Sequence, residues 1–268
     1  MGLVFRFRTL FLGGFLGLLS ISCIAASEVI QTQFSNLNQD FASFPATQNA
    51  WGMENLTFFP LPNKPGKYMR VFVPRGAIDP GTMRARSMRQ GGAGFKSKVF
   101  PDGVRRALLS YRVRFPVGFD FVRGGKLPGL YGGKGNSGGK IPDGTDGFSF
   151  RLVWGLGGRG TVYAYLPSSV RYGSGLLVHK FHFQTGGWHQ ITQELILNDP
   201  GRANGVFRLW MDGRFVGEES TVLVRTVEEL GINGLFFDVF FGGNDNSWAP
   251  PADTHIDFSD FVIRGERN

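Results

Sequence analysis

Apolar and polar residues alternate along this chain in short runs of six to ten positions, and no stretch keeps an apolar stripe at helical spacing. Such runs occupy 68–73 (YMRVFV), 107–115 (ALLSYRVRF), 148–154 (FSFRLVW), 161–166 (TVYAYL) and 178–183 (VHKFHF). They continue at 188–197, 205–211, 214–219, 235–242 and 255–263. A period of two sends one set of side chains into a core and the other away from it, so each run predicts a strand. Turn residues punctuate the runs, and the Asp-Gly of MDGR (211–214) predicts a hairpin. The succession predicts an all-β fold, a single-domain antiparallel β-sandwich of jelly-roll type. Only TVEELG (226–231) has the composition of a short helix.

One pair of runs specifies more than a fold. In DGFSFRLVWGLGGRGTVYAYLP (146–167), Ser149 and Arg151 oppose Phe148, Phe150 and Leu152, while Tyr163 and Tyr165 oppose Val162, Ala164 and Leu166. A hairpin centred on Gly157 sets 151 opposite 163 and 149 opposite 165, and cross-strand partners project to one side of a sheet. A slip of one residue would scatter them. The cluster is either the exposed polar face of a half-buried hairpin or a catalytic surface; the alternation alone leaves both open.

Composition adds a compartment and a class of partner. The first residues carry Arg6 and Arg8, an apolar run from Leu10 to Ile21 and then small residues. That is the pattern of a secretory signal peptide at 1–26, cut after Ala25 or Ala26, because the run is shorter than the roughly 20 residues a spanning helix needs. The remainder, 27–268, is read as one secreted, extracellular domain with no membrane association after cleavage, expected to be a monomer. Cys23 is the only cysteine and leaves with the leader, which removes disulfides and cysteine nucleophiles. The formal charge of +8 falls to +6 without Arg6 and Arg8. An exported basic protein attracts polyanions; the basic residues are dispersed along the chain, which favours an acidic polysaccharide over nucleic acid. Asn55 in NLT is a glycosylation sequon.

Several other chemistries lack their residues. The HKFH histidines, His179 and His182, point to opposite faces of a strand and suit no zinc; His189 reads as structural, and His255 is the fourth histidine. Asp253, Asp257 and Asp260 read as solvated acids rather than calcium ligands. Ser149 has no His and Asp arranged as a triad, and no carboxylate pair has a glycosidase pattern. No cofactor and no metal is expected.

FDFVRGGKLPGLYGG (119–133), followed by SGG (137–139), FSFRLVW and VYAYLP, resembles polysaccharide lyase family 14, which includes alginate lyases and glucuronan lyases on a β-jelly roll. RVFVPRGAIDP (70–80), GGAGF (91–95) and FFGGNDNSWAP (240–250) extend the resemblance to roughly residues 70–263. It implies a catalytic set of Lys126, Ser149, Arg151, Tyr163 and Tyr165. Several family members carry cysteines flanking the loop between the lysine and the serine, where this chain has Asn136, Ser137 and Gly147. Loop 132–147 is accordingly expected to be more mobile here.

The implied reaction is β-elimination on a 4-linked uronic-acid polymer. Lys126 and Arg151 neutralise the substrate carboxylate and the charge that develops on it, and the two tyrosines divide the roles of base and acid. Nearby cations are expected to bring a phenol down toward neutrality. Ser149 holds the sugar or orients a tyrosine. Trp248 is a candidate to stack on a sugar, Asn244 or Asn246 to bond its hydroxyls, and Lys134 and Lys140 to reach the anionic chain. The alternative is a non-catalytic, lectin-like carbohydrate-binding jelly roll. The sequence leaves open which uronan is used and whether cutting is internal or terminal.

Overall fold

The alternation seen at 106–114 is realised as burial. Ala107, Leu109, Tyr111 and Val113 are buried while Arg106, Leu108, Ser110, Arg112 and Arg114 are only partly covered. The computed structural model describes residues 28–33, 44–63 and 65–267; the predicted leader and Cys23 lie outside the described residues. Among the described residues there are fifteen strands. The first five are β1 (Glu28–Gln33), β2 (Thr47–Trp51), β3 (Leu56–Pro60), β4 (Lys67–Val73) and β5 (Ala93–Ser97). Then follow β6 (Arg106–Arg114), β7 (Gly124–Gly133), β8 (Gly147–Gly155), β9 (Arg159–Tyr165) and β10 (Ser174–His182). The last are β11 (Trp188–Ile196), β12 (Gly205–Met211), β13 (Arg214–Val222), β14 (Ile232–Phe241) and β15 (Thr254–Arg267).

They form two antiparallel sheets. One has the order β13-β12-β11-β6-β15-β4-β3, with β1 also paired to β15; the other runs β10-β9-β8-β7-β14-β5-β2. Phenylalanines fill the space between them. Phe150 of β8 stacks on Phe207 of β12 at 5.2 Å, and Phe237 of β14 meets Phe258 of β15 edge-on at 5.2 Å. Burying each such ring contributes about 2 kcal/mol. The fold is the predicted all-β sandwich.

Strand β7 was not legible as a strand because its sequence, GGKLPGLYGG, has a proline and five glycines. A bulge between Leu127 and Leu130 lifts Pro128 and Gly129 out of the ladder with β8. The Pro128 carbonyl then accepts from the Tyr111 hydroxyl and from Gln193 Nε2 (both 3.1 Å), which ties the two sheets together. The extra residue also reverses the facing. Leu127 and Leu130 both enter the core, and Lys126 and Tyr131 share the opposite face. At Gly129 a Cβ would stand 1.7 Å from the Phe150 carbonyl oxygen, which belongs to backbone that cannot swing away. Gly129→Ala should therefore cost about 1–3 kcal/mol or more, read as a lower thermal midpoint. A midpoint equal to wild type would mean that β7 and β8 are not this close.

Two local readings change. TVEELG is a turn, held by the buried Arg225, whose guanidinium donates to the Glu228 and Leu230 carbonyls. The α-helix among the described residues is instead Pro80–Ala85, where Asp79 caps Thr82 N–H at 2.8 Å and Pro80 takes the first turn. Asn55 of the sequon is buried, its amide donating to the Gln90 and Gly92 carbonyls, so it is not presented to a glycan.

Candidate active site

The outer face of β7, β8 and β9 carries the predicted cluster. Ser149 pairs with Tyr165 and Arg151 with Tyr163, the register expected from a hairpin centred on Gly157. That residue has φ 65° and Gly158 has φ 86°, the left-handed region that favours glycine. Lys126 joins from β7 through Val153, which in turn pairs with Thr161.

Lys126 Nζ lies 3.7 Å from the centre of the Tyr163 ring. The Tyr163 and Tyr165 rings meet edge-to-face at 5.7 Å. Arg151 is only 2% exposed, so the hairpin face is not a solvated stripe. Its guanidinium sits 4.7 Å from the Phe236 ring centre and 5.9 Å from that of Tyr165, and its Nη1 donates to Asp238 of β14. Its Nε has no protein partner among the described residues.

Ser149 and Tyr165 serve the glycine-rich loop. Ser149 is fully buried and its hydroxyl donates to the Asn136 carbonyl at 2.6 Å, so it does not face a sugar. The Tyr165 hydroxyl accepts the Gly139 N–H at 3.0 Å. Lys96 of β5 donates to the Lys134 carbonyl from the far side. Within the loop, Asn136 donates to the Asp146 carboxylate, and Lys134 N–H donates to the Asp146 carbonyl at 2.9 Å. Hydrogen bonds thus anchor this loop at several points, where the sequence alone predicts greater mobility.

Charge and burial set two proton affinities in opposite senses. Burial, followed by the nearby Arg151, brings the Lys126 amine down to about 7, against the weaker pull of Asp238 and Asp79. Burial, followed by Tyr165, pushes the Tyr163 phenol up to about 12; Arg151 opposes this and loses. The expectation that cations bring a phenol toward neutrality fails at Tyr163 because desolvation wins. A neutral amine and a protonated phenol therefore stand side by side over a wide range of pH.

Around the cluster opens a cleft of about 1330 Å³ whose walls carry eight Lys and Arg side chains and two Asp. Cations dispersed in sequence converge here. Only Arg151 of the eight meets a carboxylate among the described residues. On the outer face of the other sheet Arg70, Arg106, Arg112, Arg114 and Arg208 are all paired with acids. The cleft thus gathers seven cations that meet no carboxylate among the described residues, a positive surface suited to an anion.

Of the residues expected to contact substrate, Trp248, Asn244 and Lys140 stand on the cleft wall. The Trp248 ring lies against Gly243, with the Arg123 guanidinium 4.9 Å from its centre. Lys134 does not line the cleft: it is 77% exposed and turns toward Asp146 at 3.7 Å. Asn246 opens a short 3-10 turn off the wall. His189 is buried between Asp212 and the Gln184 backbone, away from the cleft, whereas His179 lines it. None of the three aspartates is simply solvated. Asp257 is buried under Arg70 and Arg114, Asp260 faces Arg112, and Asp253 accepts from Arg75 N–H.

Asp238, Lys96 and the cleft residues Arg123, Arg171 and Tyr172 escaped the sequence reading. One signal existed for Asp238: a lone acid inside LFFDVFF is a buried charge that demands a partner.

The family model for Polysaccharide lyase 14 matches residues 62–261. The chain belongs to polysaccharide lyase family 14. No curated protein sequence matches this lyase. Among solved structures it is similar to the marine alginate lyase of Aplysia kurodai, at 28% identity and TM-score 0.72, over 82% of this chain and 91% of that one. An alginate lyase from Chlorella virus is similar at 18% identity and TM-score 0.69, over 82% and 92%. The endo-β-1,4-glucuronan lyase of the fungus Trichoderma reesei shares the fold at 12% identity and TM-score 0.56, over 87% and 94%. Family membership makes this protein an enzyme, a polysaccharide lyase, rather than a binding jelly roll without catalysis.

Proposed function

We propose that this lyase is a secreted enzyme that cuts 4-linked polyuronates by β-elimination, with Lys126 as base, Tyr163 as acid and Arg151 holding the carboxylate. The observation that carries the reading is the Lys126–Tyr163 pair, 3.7 Å from amine to ring, with the amine near 7 and the phenol near 12. The neutral Lys126 amine takes the C5 proton, and the C5–H electron pair becomes the C4–C5 double bond. The C4–O bond breaks, and its oxygen takes the Tyr163 proton as the leaving sugar departs. Arg151, on the wall of the cleft, stabilises by its charge the negative charge that builds on the carboxylate. Tyrosine as the base is the weaker reading, since a phenol near 12 is protonated at neutral pH. The unpaired cations of the cleft and the substrates named for the similar enzymes, alginate and glucuronan, support a polyuronate.

The same geometry bears on which uronate. Base and acid rise from one sheet face, so proton and leaving group depart on the same side of the sugar ring. Mannuronate and glucuronate hold H5 and O4 on one side; guluronate holds them on opposite sides. Ultraviolet absorbance of the conjugated alkene, followed separately on polymannuronate, polyguluronate and glucuronan, tests this. The expected result is product from polymannuronate, glucuronan or both, with polyguluronate at least about tenfold slower, or about 1.4 kcal/mol in the barrier. No alkene from any of the three overturns the lyase reading, and fastest cleavage of polyguluronate overturns the one-sided geometry. Export is checked by N-terminal sequencing of the mature protein, expected to begin at Ala26 or Ser27.

A further inference from the structure

We infer that Arg171, Tyr172 and Lys140 form a second uronate-binding subsite beside the catalytic cluster, taking the adjoining sugar of the same chain and reading its carboxylate. This rests on the polyuronate reading and extends it to sugars that do not react.

The connection from β9 to β10 presents two of these residues. The Ser169 hydroxyl accepts from Leu166 N–H at 3.2 Å and shares a hydrogen bond with Ser174 at 3.0 Å, stapling the connection at both ends. Gly173 packs on the catalytic tyrosines, where a Cβ would stand 2.8 Å from the Tyr163 ring and 2.9 Å from that of Tyr165. Arg171 and Tyr172 are therefore held next to the reacting centre. Tyr172 keeps 54% of its surface open, and the Arg171 guanidinium lies 5.5 Å from its ring centre. From the other side the glycine-rich loop closes in: a Cβ at Gly139 would be 3.6 Å from the Tyr172 ring, and Lys140 follows directly.

The chemistry of the three suits one kind of occupant. An open aromatic face supports the apolar side of a sugar ring. A guanidinium offers two parallel donors to a carboxylate, and an ammonium adds a point charge. Neither Arg171 nor Lys140 has a carboxylate partner among the described residues, in contrast to the paired arginines behind the other sheet. A neutral sugar would leave both cations unanswered.

Trp248 and Arg123 stand on the opposite flank, by the end of the sheet where Gly124 pairs with Gly155. Tyr172 stands by the end where Ser149 pairs with Tyr165. Six residues of strand separate those ends, about 20 Å. An aromatic and an arginine thus flank the catalytic cluster on each side.

The test uses the Lys126→Ala variant, expected to bind while turning over too slowly to consume its ligand, and tetramers of mannuronate and of glucuronate. Adding Arg171→Ala and Tyr172→Ala should weaken calorimetric affinity for the better-bound tetramer about tenfold or more. In the active protein Arg171→Gln alone should raise KM on the polymer severalfold, while Arg264→Ala, exposed on the outer face of the other sheet, leaves it unchanged. Unchanged tetramer affinity in the triple variant overturns the subsite. Absence of alkene from the unmodified enzyme overturns the lyase reading instead, and leaves the binding measurement to decide the subsite separately.

Discussion

Lys126→Met is expected to lower kcat on the preferred uronan by about 10³-fold or more and, at the same time, to raise the thermal midpoint. The first effect follows from the loss of the base, since a positioned proton acceptor contributes typically about 10²- to 10⁴-fold. The second follows from linkage. The amine has a value of about 7 in the folded protein against 10.5 in the absence of the fold. Between those values the unfolded chain binds more protons than the folded one, so stability rises with pH. Below about pH 7 the folded state carries the full cost of a buried ammonium that also stands beside Arg151; above 10.5 the cost is gone. Met keeps the stem and discards the charge, so its advantage is largest at pH 6 and fades toward pH 10. A midpoint at pH 6 below that of wild type would mean that Lys126 holds the fold together rather than being held in it under strain.

The same two groups shape the rate. For the free enzyme kcat/KM should climb as pH rises through about 7, where Lys126 loses its proton, and fall as pH approaches 12, where Tyr163 would lose its own. The bound carboxylate favours the ammonium, so the acid limb of kcat should lie at higher pH than that of kcat/KM.

How much of this was legible depends on whether the determinant was local. The hairpin 146–167 was readable to the residue because alternation and a glycine turn fix register without outside help. Strand β7 was not, since its glycines answer contacts made by other strands: Gly129 clears the Phe150 carbonyl and Gly125 clears Trp154. The face on which Lys126 emerges depends on a bulge that no period-two pattern announces. Asp238 and Lys96 reach the site across the β7–β14 and β14–β5 pairings, so sequence distance hides them. The phenol expectation at Tyr163 failed for the same reason. Cations could be counted along the chain, but the burial that outweighs them belongs to the folded protein.

Tyr163→Phe and Tyr165→Phe, which the hairpin pattern treats alike, should separate. The Tyr163 ring carries Lys126 on its face, and Phe keeps that ring while removing the acid. The expected loss is about 10²- to 10⁴-fold in kcat with KM little moved. Tyr165 is 2% exposed, and its hydroxyl accepts the Gly139 N–H. Phe there frees one anchor of the loop that carries Lys140, so a smaller loss is expected, falling on KM as well as kcat. Leaving-group chemistry then assigns the roles. An electron-poor aryl group on O4 of the uronate leaves as its aryloxide, taking the C4–O electron pair without needing a proton. Tyr163→Phe should recover most of its rate on such a substrate, whereas Lys126→Ala should not, because abstraction of the C5 proton remains unaided. If the rescue appears in the lysine variant and not in the tyrosine one, the phenol is the base and the amine the acid, and the assignment built on burial is reversed.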